Sequence, residues 1–533
     1  MIDRVRSFAN AGVRGARAVR DAGVLRPVRP DRAVRVPLAY LRFGPVPATV
    51  GAMSALRFPD RTALIDERGA LTYGELERRA AALASGLRVL AGDGKVGILC
   101  RNHRGFVETL LAASRLGGDV VLLNTDFSGA QLGHVAEREG IALLVHDAEF
   151  GAVVDESGFD GRRLLAWTDQ DGAGTIDGLA AATEPEPIRP DRTSGVVVMT
   201  SGTTGTPKGA RHDVALSSVL PVALSHLMRV PVRSGTPMVI APPLFHILGF
   251  AYMTVGLGMG MPLVLSRRFD ADETLKAVAD CEAGALVAVP VMLQRILAAK
   301  GAARAPRTPS LRAVLCGGSA LHPHLSDAFM DAFGDVLVNL YGATETGWAT
   351  IATSDDLRNA PGTVGRPSLR ITVKVLGEDG SELPAGETGE IYTGGGLRFA
   401  GYTGGGGKDV LDGLTGTGDL GHFDEAGRLF IDGRADDMII SGGENVFPGE
   451  VEDLIGGHPD VAEVTVTGVD DEEFGQRLAA HVVRAPAASL TEDDVRAYVK
   501  RHLARYKVPR DVRFVDELPR TSTGKVRPKE LDD

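Results

Sequence analysis

Residues Thr200-Ser201-Gly202-Thr203-Thr204-Gly205-Thr206-Pro207-Lys208-Gly209 follow the apolar run Gly195-Val196-Val197-Val198-Met199, so a strand feeds a loop of glycines and hydroxyl side chains. Glycines let the backbone approach a polyanion closely, the threonine and serine hydroxyls offer donors, and Lys208 supplies a positive charge for phosphate oxygens. This chemistry points to a nucleoside triphosphate. The stretch is not a Walker A loop, because Gly-x-x-x-x-Gly-Lys counted from Gly202 requires glycine where Pro207 stands. Taken alone, the same composition also suits an ordinary flexible connection.

Four later stretches narrow the choice: Tyr341-Gly342-Ala343-Thr344-Glu345, Thr417-Gly418-Asp419, Gly433-Arg434-Ala435-Asp436-Asp437 and Thr523-Gly524-Lys525. With these in view, the chain resembles the adenylate-forming superfamily of acyl-CoA synthetases, peptide-synthetase adenylation domains and luciferases, from about Pro59 to the C-terminus. The resemblance implies ATP, Mg²⁺ and coenzyme A as reactants and cofactor. It places Thr200, Ser201, Gly202, Thr203, Thr204, Gly205 and Lys208 on the phosphates, and Gly317, Gly318 and Ser319 along the adenine. Tyr341 and Gly342 belong to the same base-binding wall, Thr344 bonds the α-phosphate, and Glu345 holds the metal through hard oxygen ligands. Asp419 accepts from the ribose hydroxyls and Arg434 reaches the nucleotide. Asp436 becomes the hinge of a C-terminal domain, Gly442 and Gly443 face the incoming thiol, and Lys525 becomes the adenylation lysine.

The family's stretch before the ribose aspartate usually holds a tryptophan, whereas Asp412-Gly413-Leu414-Thr415-Gly416 stands here, which leaves the local loop shape open. His246 follows the strand-like Met238-Val239-Ile240-Ala241 and matches the position beside the carboxylate being activated; a satisfied core histidine is the other reading. Gly256, Gly258 and Gly260 either leave room for an acyl tail or permit close helix packing. Trp348 is either the gate or floor of that tunnel or a core aromatic. Gly318 joins His246 and Trp348 in the expected acyl pocket.

Length and composition set the frame. A chain of 533 residues exceeds what one core supports, and 44% apolar residues fill at least two. A formal net charge of -11 excludes nucleic acid as a general partner, since such binding rests on a cationic surface. Cys100, Cys281 and Cys316 lack metal-ligand spacing and read as reduced core residues of a cytoplasmic protein. The uncharged run from Ser234 to Ser266 is broken by Pro237, Pro242, Pro243 and Pro262 and reads as domain interior rather than a membrane span.

Three segments follow. Residues 1–45 carry ten arginines against three aspartates and an interrupted apolar stripe (Ile2, Val5, Phe8, Val13, Ala16, Val19). This suits a helix on the inner face of an anionic membrane, or equally a solvated helix packed on the acidic body. Residues 46–434 form the large ATP- and acyl-binding domain and 435–533 a small mobile one. Apolar runs alternating with helical stretches predict an α/β fold of parallel-rich sheets, with a β-rich subdomain over 371–432 and an α+β C-terminal domain.

The activity expected is an AMP-forming acyl-CoA synthetase, with a carrier-protein thiol as the alternative acceptor and a nucleotide binder without turnover as a further rival. A dimer is among the expected assemblies. No acid stands in Phe245-His246-Ile247-Leu248-Gly249 to pair an amino acid's ammonium, and 247–265 carries no charge, so a medium- or long-chain fatty acid, or a similar apolar acid, is the expected substrate.

Overall fold

The computed structural model of the chain describes residues 15–24, 28–169, 172, 174–200, 207–213, 216–300, 308–395, 398–403, 405, 407–441, 444–471, 475–521, 524–527 and 530–531. The short apolar runs become strands of two large, mostly parallel sheets. In the first, Thr62–Asp66, Leu263–Leu265, Met238–Ile240, Ala285–Ala288, Ala313–Gly317 and Leu337–Ala343 lie side by side, each parallel to its neighbour. In the second, Val196–Thr200, Val120–Leu122, Lys95–Leu99, Ile141–His146 and Arg162–Leu165 do the same. Runs such as Ala285–Ala288 and Ala313–Gly317 are buried throughout, because helices cover both faces of a parallel sheet. One apolar core, containing Leu64, Phe106, Leu257 and Phe329, runs through both sheets and their helices.

The helix Tyr73–Ala91 starts where the sequence signals it. Thr72 Oγ1 accepts from Glu75 N at 3.2 Å and Glu75 Oε2 accepts from Thr72 N at 2.8 Å, a reciprocal cap.

Beyond Leu337–Ala343 the first sheet turns antiparallel, continuing through Gly347–Ala352, Thr363–Pro367, Leu429–Arg434, Leu414–Phe423, Gly389–Gly394 and Thr372–Leu376. This is the β-rich part expected over 371–432. Its register sets Asp419 directly opposite Arg434. The small C-terminal domain has its own sheet, with Ile439–Ser441, Gly475–Arg484 and Val461–Asp471 at its centre, and its own core of Ile439, Val466, Leu478, Val499 and Val512. It is seated on the large domain by Gln294 Nε2 donating to Ala462 O at 2.5 Å and by a His322–Asp453 ion pair.

Cys100, Cys281 and Cys316 are unbonded thiols, the first and last buried. The expectation that none has metal-ligand neighbours is corrected for Cys100, which lies with His103 and Asp147 in one buried group. That group is already satisfied: His103 Nε2 bonds Asp147 Oδ1 at 2.8 Å while Nδ1 accepts from Gly105 N at 3.0 Å, so neither ring nitrogen is left for a metal.

Candidate active site

The strand Val196–Thr200 and the strand Lys208–Asp213 are antiparallel neighbours, with Thr200 opposite Lys208. The backbone on either side of the predicted phosphate loop is thus fixed by the sheet. Ser201, Gly202, Thr203, Thr204 and Gly205 lie outside the described residues. Pro207, the residue that departs from a Walker loop, offers its carbonyl to Arg138 Nη1 at 2.6 Å. Lys208 Nζ lies 5.2 Å from the ring centroid of Tyr402, and the Tyr402 hydroxyl donates to Glu345 Oε1 at 2.6 Å. Tyr402 therefore joins the lysine of one motif to the carboxylate of another. Burial and the Glu345 carboxylate both push its phenol upward, so it stays a donor at neutral pH.

Thr344 and Glu345 sit in the tight turn between Leu337–Ala343 and Gly347–Ala352, where Thr346 Oγ1 accepts from Ala343 N at 3.2 Å. Gly342 cannot carry a side chain: an added Cβ would stand 2.0 Å from Gly347 O. At the end of the neighbouring strand Ala313–Gly317, Gly317 is packed against Leu340 O, whereas Gly318 has φ +92° and open space, with only Val289 Cγ1 at 3.6 Å from an added Cβ. Ser319 follows on the same half-exposed turn. Gly318 is the place where a ligand can approach the backbone.

Across the cleft, the Tyr341 hydroxyl donates to Asp419 Oδ2 at 2.7 Å and Arg434 Nη1 donates to Asp419 Oδ1 at 3.1 Å. Each carboxylate oxygen keeps a second lone pair for a ligand hydroxyl. Burial raises the Asp419 carboxyl, opposed by Tyr341 and Arg434. Arg434 Nε also donates to Asp436 Oδ1 at 3.0 Å, so the predicted hinge aspartate is tied to the arginine before it. Gly442 and Gly443 lie outside the described residues; Ser441 and Glu444 on either side of them pair as a hairpin.

Lys525 arrives from the C-terminal domain. Thr521 N donates to Lys525 O at 2.8 Å and Lys525 N to Thr521 Oγ1 at 3.1 Å, closing a turn in which Gly524 has φ +80°. Any Cβ on Gly524 would lie 2.4 Å from Val291 Cγ1, so the turn is pressed onto the large domain beside Val289, the neighbour of Gly318. There the ammonium favours the charged forms of Asp419 and Asp437 and disfavours a charged His246. The predicted lysine, ribose carboxylate and histidine are thus within one electrostatic neighbourhood.

His246 opens the helix Ile247–Met259, and burial, then Lys525, pushes its imidazole down to about 3. It is neutral, and its Nε2 is buried without a hydrogen-bond partner among the described residues. The loop before it is held by a residue that sequence reasoning did not single out. Asn102 Nδ2 donates to Pro242 O and its Oδ1 accepts from Leu244 N, both at 2.8 Å.

Of the three glycines singled out in the sequence, Gly256 and Gly260 are closed by packing, whereas Gly258 has only Val50 Cγ1 at 3.5 Å from an added Cβ and keeps its room. A Cβ on Gly256 would be 2.5 Å from Leu263 Cδ2, one on Gly249 2.3 Å from Pro243 O, and one on Gly260 2.5 Å from the Phe58 ring. Gly256 lets the helix lie close to the strand Leu263–Leu265, Gly249 to the loop before it, and Gly260 to Phe58. Trp348 stacks on His226 with ring centroids 5.1 Å apart and an interplanar angle of 14°, and touches Tyr252 at 5.2 Å. At the seam of the two domains, next to the loop before His246 and the turn of Lys525, lies a cavity of ≈ 500 Å³ whose lining includes Phe245, Thr521, the acids Asp126 and Glu517, and six arginines, most of them ion-paired.

The sequence profile of the AMP-binding enzyme family matches residues 52–403, and that of the AMP-binding enzyme C-terminal domain matches 450–525. The chain belongs to this family. It is an adenylate-forming acid–thiol ligase, of the class that uses ATP, Mg²⁺ and coenzyme A. A feruloyl-CoA synthase of an Amycolatopsis species is 34% identical over 481 residues, 88% of this chain and 94% of that protein. A fatty acid–[acyl-carrier-protein] ligase of Streptomyces coeruleorubidus is 31% identical over 490 residues, 89% and 93% of the two chains. The structure of an o-succinylbenzoate CoA synthetase from Bacillus subtilis, in complex with its acyl-adenylate intermediate, superposes with a TM-score of 0.79 at 29% identity, covering 91% of this chain and 98% of the other.

The residues suit the metal that the class requires. Tyr402 takes Glu345 Oε1, while Oε2 accepts nothing from the described residues and so offers a hard oxygen that would suit a divalent cation.

Proposed function

We propose that this ligase activates an apolar, ring-bearing carboxylic acid as its acyl-adenylate and passes the acyl group to coenzyme A. The observation that carries this reading is the convergence of Lys208, Glu345, Asp419, Arg434 and Lys525 on one cleft beside the neutral His246. Asp419 holds the ribose hydroxyls, Tyr341 presents its ring to the adenine along Gly317, Gly318 and Ser319, and Thr344 bonds the α-phosphate. With the nucleotide so fixed, a carboxylate oxygen of the substrate attacks the α-phosphorus and pyrophosphate leaves. Lys208 and Lys525 meet the charge that builds on the phosphate oxygens, preorganised electrostatics that dominates such reactions. Glu345 would hold the Mg²⁺ that the class uses, which would supply further neutralising charge. His246, being uncharged, orients the incoming carboxylate without competing for it as a counter-ion. In the second half-reaction the small domain turns at Asp436, withdraws Lys525 and brings Gly442 and Gly443 to the thiol, an ordering that domain closures commonly supply.

An apolar acid is favoured by the uncharged wall after His246. A long fatty chain is less favoured than the sequence suggests, because Gly256 and Gly260 are filled by Leu263 and Phe58, and Trp348, three residues after Glu345, is packed on His226 and Tyr252. The feruloyl and succinylbenzoate relatives support the same choice. The relatives named for coenzyme A thioesters favour coenzyme A over a carrier-protein arm as acceptor.

Pyrophosphate exchange over acetate, octanoate, palmitate, cinnamate, 4-hydroxycinnamate and several amino acids, followed by addition of coenzyme A, is expected to show aryl acids turned over best and acyl-CoA formed. Exchange led by acetate or an amino acid would overturn the substrate assignment, and acyl-adenylate that coenzyme A leaves untouched would overturn the acceptor.

We further infer peripheral contact with anionic lipid through the N-terminal region; of the stripe over 2–19, Ile2, Val5, Phe8 and Val13 lie outside the described residues. Among the described residues no helix is long and apolar enough to cross a membrane. Residues 15–24 serve the body: Ala22 is buried, Gly15 lies against Leu224, and Ser234 N donates to Ala22 O at 2.8 Å. By contrast Val34, Leu38 and Leu41, one face of a helical segment, are 66%, 57% and 77% exposed, with Arg32, Arg35 and Arg42 beside them. Apolar and cationic groups on one ridge of an acidic protein match an anionic bilayer. The double variant Leu38→Glu, Leu41→Glu is expected to lose salt-sensitive sedimentation with phosphatidylserine vesicles while keeping its turnover. Unchanged sedimentation would leave the ridge without this role.

A further inference from the structure

The strand Arg398–Tyr402 runs antiparallel to Lys208–Asp213, with Tyr402 opposite Ala210, so Tyr402 belongs to the sheet edge on which the phosphate loop ends. The residue after it is tied down twice. Thr403 N donates to Gly209 O at 2.9 Å, and Thr403 Oγ1 donates to Glu139 Oε1. Glu139 is itself buried between Lys95, at 3.2 Å, and Arg138, at 3.0 Å, and Arg138 also donates to the Pro207 carbonyl at 2.6 Å. Tyr402 and the end of the phosphate loop thus share one frame, built from contacts that do not involve Glu345.

The Glu345 side chain has no such frame of its own. It stands in the tight turn between Leu337–Ala343 and Gly347–Ala352, and among the described residues the Tyr402 hydroxyl, at 2.6 Å from Oε1, is the one donor to its carboxylate. A glutamate on a turn loses rotamer freedom when it takes up a ligand, and a fixed donor to one oxygen takes most of that loss beforehand. The hydroxyl occupies Oε1 and leaves Oε2 as a hard oxygen ligand. Burial and the carboxylate itself push the phenol upward, so the donor keeps its proton across the physiological range. The Tyr402 ring meanwhile packs on Lys208, whose Nζ is 5.2 Å from its centroid.

We propose that Tyr402 is the positioning residue for Glu345: its hydroxyl, anchored to the frame of the phosphate loop, fixes Oε1 and so keeps Oε2 available to the Mg²⁺ that accompanies ATP. The proposal rests on the reading of Glu345 as the metal ligand. It makes the metal-dependent part of ATP affinity a property of a hydroxyl that touches neither metal nor nucleotide. Removing a partner that orients a metal-ligating carboxylate costs about 10–100-fold in metal affinity.

The test is calorimetric titration of the whole chain with ATP in Mg²⁺ and again in EDTA, with no carboxylic acid present, so that the ratio of the two affinities gives the gain due to the metal. Tyr402→Phe keeps the ring for Lys208 and removes only the hydroxyl. Its gain is expected to fall about tenfold, with ATP affinity in EDTA and AMP affinity unchanged. Glu345→Gln should also lose the gain, and the double variant should lose no more than Glu345→Gln alone, because both changes act through one carboxylate. A gain kept by Tyr402→Phe but lost in Glu345→Gln would overturn the positioning role and spare the metal reading of Glu345. A gain absent from the wild type, or kept in Glu345→Gln, would overturn that reading and the positioning role with it. An equal loss of AMP affinity and of ATP affinity in both media in Tyr402→Phe would overturn the proposal and leave Tyr402 a packing residue.

Discussion

Lys525→Ala is expected to lower acyl-adenylate formation by about 10²–10³-fold, the range seen when one preorganised donor to a developing charge is removed. Thioester formation from supplied acyl-adenylate should be nearly unaffected. The reason is where the lysine comes from. It is delivered by a turn of the small domain, held by Thr521 and by Gly524 pressed on Val291, while Tyr341, Asp419 and Arg434, the groups proposed to hold the nucleotide, belong to the large domain. Truncating its side chain removes a charge from the field around Asp419 and His246 without disturbing Tyr341, Arg434 or Glu345. The check is a pair of separate assays, pyrophosphate exchange for the first half and release of free thiol for the second. Equal losses in both would remove the division of labour proposed for the two domains.

Asp419→Ala is expected to cut kcat/KM for ATP by about 10²-fold, since the ribose hydroxyls lose their carboxylate acceptor and one hydrogen bond to a charged group is worth roughly 1.5–3 kcal/mol. The Tyr341 hydroxyl and the Arg434 guanidinium would then face one another with no acceptor between them. Asp419→Asn keeps an acceptor for Tyr341 and should lose less. Calorimetric titration with AMP separates the two variants from a folding defect. AMP affinity unchanged in Asp419→Ala would remove the ribose role.

Much of the site was legible along the chain because its chemistry is local. A strand of valines must end where Ser201, Gly202 and the following hydroxyl residues begin, and the pair Thr72 and Glu75 announces a helix cap whatever surrounds it. The order of motifs around Lys208, Glu345, Asp419, Arg434 and Lys525 was enough to expect a nucleotide cleft and a second domain. Parallel-rich sheets followed from apolar runs alternating with helical stretches, since a strand buried on both faces has no polar side to show.

Other features depended on neighbours distant in the chain, and only the tertiary structure decided them. Tyr402 lies 57 residues after Glu345, and it bridges Glu345 to Lys208 because the strand Arg398–Tyr402 pairs with Lys208–Asp213 at the sheet edge. No local pattern encodes that register. Gly256 and Gly260 read as either space or close packing until Leu263 and Phe58 occupied the positions their side chains would have taken. The sequence alone showed an arginine-rich N-terminus; packing chose which of its apolar residues, Ala22 or Leu38 and Leu41, faces the core and which faces out. His226 carried no signal in the sequence, because a histidine among apolar residues becomes informative only when its environment is known. Its neutrality and its stacking on Trp348 are properties of elements brought together by folding.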